Sequence, residues 1–332
     1  MSNKPSYDVV GIGNAIVDAL APTGDDVLAR LQLNKGSMTL IDESSSARIY
    51  AEMGPATISS GGSAANTMVG LASLGAKAAF IGKVKDDDSG RAFCHDIEKS
   101  GVAFSTPATA TGPATARCLV LVTPDGERTM STYLGACVHL GPDDIDEELI
   151  ARTRIVYLEG YLWDPPQAKA AFRKAAEAAH RSGARVALTL SDAFCVDRYR
   201  DEFLGLIRGG AVDIVFANES ELHALYQTAD FGTAVAELKK EKALAFVTRS
   251  ANGCLVVDHG EAESAPASAI DRLVDTTGAG DLFAAGALFG LSRGAPNVRA
   301  AAIGALAAAE VIQHFGARPQ TSLADLLAQS GI

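Results

Sequence analysis

Arg185–Phe216 reads RVALTLSDAFCVDRYRDEFLGLIRGGAVDIVF: an apolar run, a helix-spaced segment near 197–208, a Gly-Gly break and a second apolar run. Neither apolar run alternates with polar residues, so both fit strands covered on both faces. The segment between them is long enough to cross from one parallel strand to the next. The same alternation extends outward, with strands expected at Ile155–Leu158, Arg185–Leu190, Asp213–Phe216 and Ala245–Thr248 and helices near 166–181, 197–208, 219–227 and 232–241. The expected fold is α/β, a doubly wound, mostly parallel central sheet flanked by helices on both faces.

The flanking sequence extends this frame. Tyr7–Val10 reads as a strand leading into Gly11-Ile12-Gly13, Gly61-Gly62 opens a helix over Ser63–Leu74, and a strand at Ala78–Ile81 precedes a helix over Ser89–Lys99. Three helical stretches follow near 279–292, 297–314 and 322–329. Two segments depart from the pattern. From Thr23 to Thr57 the apolar spacing is short and irregular, with Met38–Ile41 as a strand. In 102–135 two β-rich runs, Arg117–Thr123 and Arg128–Tyr133, are joined by the hairpin signal Pro124-Asp125-Gly126-Glu127. The expected organisation is a core of residues 1–14, 61–101 and 136–332, with a discontinuous small β lid of 15–60 and 102–135.

A length of 332 residues with 48% hydrophobic residues supports a large buried core. The net charge of −11 argues against nucleic acid or an anionic membrane as partner. Cys94, Cys118, Cys137, Cys195 and Cys254 are scattered without a CxxC pair, as expected of reduced buried thiols. The start, MSNKPSYDVV, lacks a basic segment followed by an apolar one, and no apolar run is long enough to span a bilayer. A cytoplasmic location is expected.

The chemistry concentrates in Asp275-Thr276-Thr277-Gly278-Ala279-Gly280-Asp281, ahead of the apolar helix Leu282–Leu291. Glycines at a helix start let backbone amides approach an anion, and Asp281 in the first turn sits beside that site. Donors for a transferring phosphoryl group and a base for the attacking hydroxyl are what phosphoryl transfer requires. Taken alone, Asp281 also fits a residue that stabilises the helix dipole. In Ser60-Gly61-Gly62-Ser63-Ala64-Ala65-Asn66 a second glycine-led helix start puts Asn66 within reach of a sugar hydroxyl.

Together these two motifs resemble the signatures of the ribokinase (PfkB) family of carbohydrate and nucleoside kinases, over about residues 7–320. The resemblance implies Asp281 as catalytic base and the amides of Gly278, Ala279 and Gly280 as anion hole. It implies Asn14, Asp18, Gly61, Gly62 and Asn66 as acceptor contacts, with the Asp18 carboxylate accepting from two vicinal hydroxyls. Asn218 and Glu221 match an Asn-x-x-Glu element that organises Mg²⁺ and its waters; without the family, Glu221 reads as an exposed helix carboxylate. Thr248 and Gly253 match an ATP-contacting loop, and Asp275, Thr277 and Gly316 a monovalent-cation site that K⁺ would fill. The stretches Gly-Asn-x-x-x-Asp, Leu-Ser-x-x-Phe at 190–194 and Val-Asp-Ile-Val-Phe-x-Asn-Glu at 212–219 are most similar to adenosine kinases. In that group Arg128 would reach the phosphates and Leu134 and Ala136 would line the base pocket; where it often has two phenylalanines that stack on adenine, this chain departs with Tyr161-Leu162-Trp163, of which Tyr161 or Trp163 could stack. ATP, Mg²⁺ and a small nucleoside or sugar are the implied partners, in a monomer or homodimer.

Other classes fit less well. Gly11-Ile12-Gly13 lacks the third glycine and the acidic strand end of a dinucleotide fold, and no GxxxxGK[ST] occurs. A non-catalytic binding module would be expected to lose Asp281 or its glycines.

Overall fold

The computed structural model describes residues 5–332. Its larger sheet has nine strands, in the order β14 (Glu261–Ala265), β13 (Cys254–Asp258), β12 (Leu244–Thr248), β11 (Ile214–Asn218), β10 (Arg185–Thr189), β9 (Thr153–Glu159), β1 (Tyr7–Ile12), β5 (Ala78–Ile81) and β6 (Ala103–Phe104). From β12 to β6 every pairing is parallel; β13 and β14 add an antiparallel edge.

Successive residues of a strand face opposite ways, and the two faces of this sheet carry separate cores. Val9 faces one side with helices α3 (Ser63–Ser73), α4 (Asp88–Lys99), α10 (Ala279–Ser292), α11 (Asn297–Val311) and α12 (Leu323–Ser330). Val10 and Ile12 face the other with α5 (Glu147–Ala151), α6 (Pro166–Ser182), α7 (Ala193–Arg208), α8 (Glu219–Tyr226) and α9 (Phe231–Leu238).

Helices α10 and α11 approach so closely that only glycine fits between them. A Cβ on Gly286 would lie 2.5 Å from the Ile303 carbonyl oxygen, and one on Gly304 would lie 2.6 Å from that of Phe283. These neighbours are backbone and cannot swing away. Gly286→Val is therefore expected to destabilise the fold by about 2 kcal/mol or more, read as a lower urea midpoint; an unchanged midpoint would contradict this packing.

The second sheet has five strands, in the order β3 (Met38–Leu40), β8 (Arg128–Tyr133), β7 (Ala116–Val122), β2 (Ile16–Pro22) and β4 (Thr57–Gly61). Its alternation decides the site. Ala19, Leu119 and Leu121 pack under α1 (Asp25–Leu31) and α2 (Glu43–Glu52), while Asp18, Leu20, Cys118, Val120 and Thr132 face the opposite way into a cleft. A one-residue slip in β2 would turn Asp18 into the apolar layer.

Several elements differ from the sequence expectation. The 23–57 stretch, read as irregular, contains α1 and α2, both too short to show a clear helical period. Strand β2 and the β13–β14 hairpin had no strong signal, and Ala103–Phe104 pairs with the large sheet rather than the small one. Among the described residues, no helix is long and apolar enough to cross a membrane.

Candidate active site

The carboxyl ends of β1, β9, β10, β11 and β12 open onto one cleft, where ligands of such sheets bind. The inner face of the small sheet forms its other wall. Its volume is about 1650 Å³, against roughly 300–1,000 Å³ for a pocket holding one small ligand. There is room for two molecules side by side.

Asp281 lies where the two walls meet, in the first turn of α10. Gly278 caps that helix with φ +80°, and a Cβ there would lie 2.7 Å from Ala317 Cα. Gly278, Ala279 and Gly280 all line the cleft, although the Ala279 amide already donates to the Thr276 carbonyl at 3.2 Å. Asp281 accepts from Ser63 Oγ at 2.6 Å and from Asn66 Nδ2 at 3.2 Å. Burial pushes its carboxyl up to about 6, and these two donors oppose the rise. A carboxylate tuned so close to neutrality can take a proton at working pH.

Asp18 is the second tuned carboxylate. Burial raises it to about 6, Arg318 and then Arg128 pull it down, and Asp281 pushes it up. Gly61 does not line the cleft; it leaves room for the Asp18 carboxylate, which a Cβ at 61 would strike. Gly62 does line it, with φ +100°, and a Cβ there would run into the Asn14 carbonyl. Asn14 donates from Nδ2 to Glu159 at 2.7 Å, while its Oδ1 is buried without a partner. An orphaned buried acceptor at a cleft wall is a place for a ligand hydroxyl. Glu159 also accepts from the Ala64 amide at 2.9 Å, and burial raises its carboxyl to about 7.

The residues expected around a base fall in different places. Leu134 lines the cleft, and Tyr161 is 43% exposed on its rim. Ala136 is fully buried away from the cleft, a correction to its expected place in a base pocket. Trp163 is also fully buried, against Phe172 and Phe203 with ring centroids 5.9 and 6.1 Å away, and its Nε1 donates to Glu202. It cannot stack on a ligand.

At the other end, Asn218 and Glu221 form a capping box at the start of α8, each side chain receiving the other's backbone amide. Glu221 is 4% exposed rather than a solvent-facing carboxylate, and burial raises it to about 7. Thr248 and Gly253 line the same end.

Asp275, Thr277 and Gly316 come together, but around a guanidinium. The Asp275 carboxylate accepts from the Thr277 amide and hydroxyl, the Gly316 amide and Arg128 Nη1, the last at 2.9 Å. With Arg128 as its counter-ion, Asp275 does not fit a bare monovalent cation in this arrangement. Arg128 reaches across from β8, and its Nε and Nη2 are buried without partners. Unpaired buried guanidinium donors suit an anion.

Sequence reasoning assigned no role to Ser63, Glu159 or Arg318. Ser63 lies within the Ser60–Asn66 motif, and Glu159 is the last residue of β9. Arg318 had no signal at all.

Comparison with known proteins adds the family. The family model described as "pfkB family carbohydrate kinase" matches residues 38–323. A solved adenosine kinase from Sinorhizobium meliloti is 51% identical, with a TM-score of 0.89 over 98% of this chain and 99% of that one. A "probable sugar kinase" from Rhizobium etli is 48% identical, with a TM-score of 0.91 over the same shares. The adenosine kinase of Saccharomyces cerevisiae is 27% identical over 93% of this chain and 95% of its own.

Proposed function

This chain belongs to the pfkB family of carbohydrate kinases, and from that premise we propose that it transfers the γ-phosphoryl group of ATP to the primary 5′-hydroxyl of a ribonucleoside, adenosine foremost. The observation that carries the reading is the placement of Asp281. It sits at an amide-rich helix start, tuned to about 6, in the same cleft as Asp18 and the unpartnered Asn14 Oδ1. The likeness to adenosine kinases at 51% and 27% identity supports the choice of acceptor.

In this reading Asp18 accepts from the ribose diol, and Asn14 Oδ1 accepts from a neighbouring hydroxyl. The acceptor's 5′-hydroxyl then faces Asp281, which takes its proton as the oxygen attacks the γ-phosphorus in line. The Gly278 and Gly280 amides and the free donors of Arg128 meet the charge on the transferring group. Asn218 and Glu221 would hold Mg²⁺ through its waters, and the ion neutralises phosphate charge when bound. Among the described residues no group of three or more His, Cys, Asp or Glu is placed to bind a metal directly. The small sheet and its helices serve as the lid, with Arg128 tying β8 to Asp275 and shielding the reaction from water.

The test is ADP release with Mg-ATP across adenosine, inosine, guanosine, cytidine, ribose, fructose and ketodeoxygluconate. Adenosine is expected to give the highest kcat/KM. Turnover confined to a free sugar would replace the nucleoside reading with the sugar-kinase one that the Rhizobium etli relative favours.

A further inference from the structure

Arg318 lines the cleft with Arg128 and Arg198, and the family motifs leave it without a role. It follows Ala317, whose Cα and carbonyl back Gly278, so it sits on the loop behind the start of α10. Its donors reach three other elements. Nη1 donates to Asp96 of α4 at 2.8 Å, Nη2 to Ser60 Oγ of β4 at 2.6 Å, and Nε to Asn66 Oδ1 of α3 at 3.4 Å. Ser60 closes a ring with them, its amide and hydroxyl donating to Asp96 at 2.8 and 2.7 Å.

The contact with Asn66 matters because the two ends of an amide are not equivalent. With Oδ1 turned to Arg318, Nδ2 faces Asp281 at 3.2 Å. The flipped amide would set an oxygen against the Asp281 carboxylate and an NH₂ group against the guanidinium. Both contacts would then be repulsive, so the guanidinium fixes which end of Asn66 meets Asp281. The link to Ser60 acts on β4, which pairs with β2 and sets Ser59 opposite Asp18.

We propose that Arg318 is a positioning residue for phosphoryl transfer, acting through Asn66 to keep an N–H donor on Asp281 and through Ser60 to hold the strand beside Asp18. The inference rests on the reading of Asp281 as base. It requires the planar fork of arginine, because a lysine could hold Asp96 but not all three acceptors at once.

A double-mutant cycle between Arg318→Met and Asn66→Ala tests it, using Mg-ATP and the acceptor that the ADP-release screen identifies. Arg318→Met is expected to lower kcat/KM for the acceptor about tenfold or more, the scale of hydrogen bonds to a charged group, with KM for ATP unchanged. In the Asn66→Ala background the same substitution is expected to cost about threefold less, or better, than it does alone, because the route through Asn66 is already gone and only the one through Ser60 remains. Arg318→Lys is expected to behave like Arg318→Met, and it replaces that variant in the cycle if Arg318→Met does not fold. Independent, multiplying losses would overturn the proposal, as would a wild-type kcat/KM in Arg318→Met. A second readout needs no turnover: the Asn66 side-chain amide signals in ¹⁵N-asparagine-labelled protein, assigned by their absence in Asn66→Ala. Arg318→Lys is expected to shift them and speed their exchange. Unchanged signals would sink the positioning role even if the wild type phosphorylated none of the acceptors tested, an outcome that would count against the proposed function alone.

Discussion

Asp281→Asn is expected to lower kcat by about 10²–10⁴-fold, the usual worth of a positioned proton acceptor, while ATP binding stays near wild type. The substitution keeps size and shape and removes only the basic oxygen. Because burial raises the Asp281 carboxyl to about 6, the wild-type kcat should climb as pH rises through that value and level off above it. Stability should move the other way. A carboxyl whose folded pKa lies above its ordinary 3.8 binds its proton more tightly in the folded state. Ionising it therefore costs stability, beginning near 3.8 and complete above about 6. Asp281→Asn removes that cost, so its Tm should exceed wild type at pH 8, with the gap shrinking toward pH 4. An inactive variant with a lower Tm at pH 8 would indicate a structural role instead. Retained activity would remove Asp281 from the chemistry.

Asp18→Ala should produce the second largest effect, in a different parameter. The carboxylate lies on the cleft face of β2 and is kept from higher pKa values by Arg318 and Arg128. If it accepts from two acceptor hydroxyls, its loss removes two hydrogen bonds to a charged group. At about 1.5–3 kcal/mol each, KM for the acceptor should rise by about 10²-fold or more, with KM for ATP nearly unchanged. Measuring both constants in one series of assays separates the outcomes. An equal rise in the two would point to a collapsed cleft, and an unaltered acceptor KM would remove Asp18 from the acceptor site.

The sequence displayed some parts of this architecture openly and hid others. Parallel strands buried on both faces are near-continuous apolar runs, so β9 to β12 stood out, as did α10 after its glycines. Helices α1 and α2 did not, because each covers only one small sheet and carries few buried residues: Leu28 and Leu31 in one, Ser46 and Ile49 in the other. The acidic residues at the site were legible only where they sat in motifs. Glu221 was found but read as exposed, since a capping box looks the same in sequence whether solvent or protein covers it. Asp275, Thr277 and Gly316 were grouped from sequence and do meet, but Asp275 also pairs with Arg128 of β8, a contact that only the fold creates. Arg318 stands far in sequence from Ser60, Asn66 and Asp96, so no local pattern could reveal it. Trp163 followed a glycine at a strand end, as a stacking residue would, but the turn of Gly160–Trp163 directs it into the core.

The central claim, transfer to a primary hydroxyl set against Asp281, is tested most directly by the structure of the product. Adenosine, Mg-ATP and the enzyme should yield ADP and a phosphomonoester whose ³¹P resonance couples to the two protons of one methylene group, and 5′-deoxyadenosine should yield none. Phosphorus coupled to a single ring proton, or ADP formed with 5′-deoxyadenosine as readily as with adenosine, would contradict it.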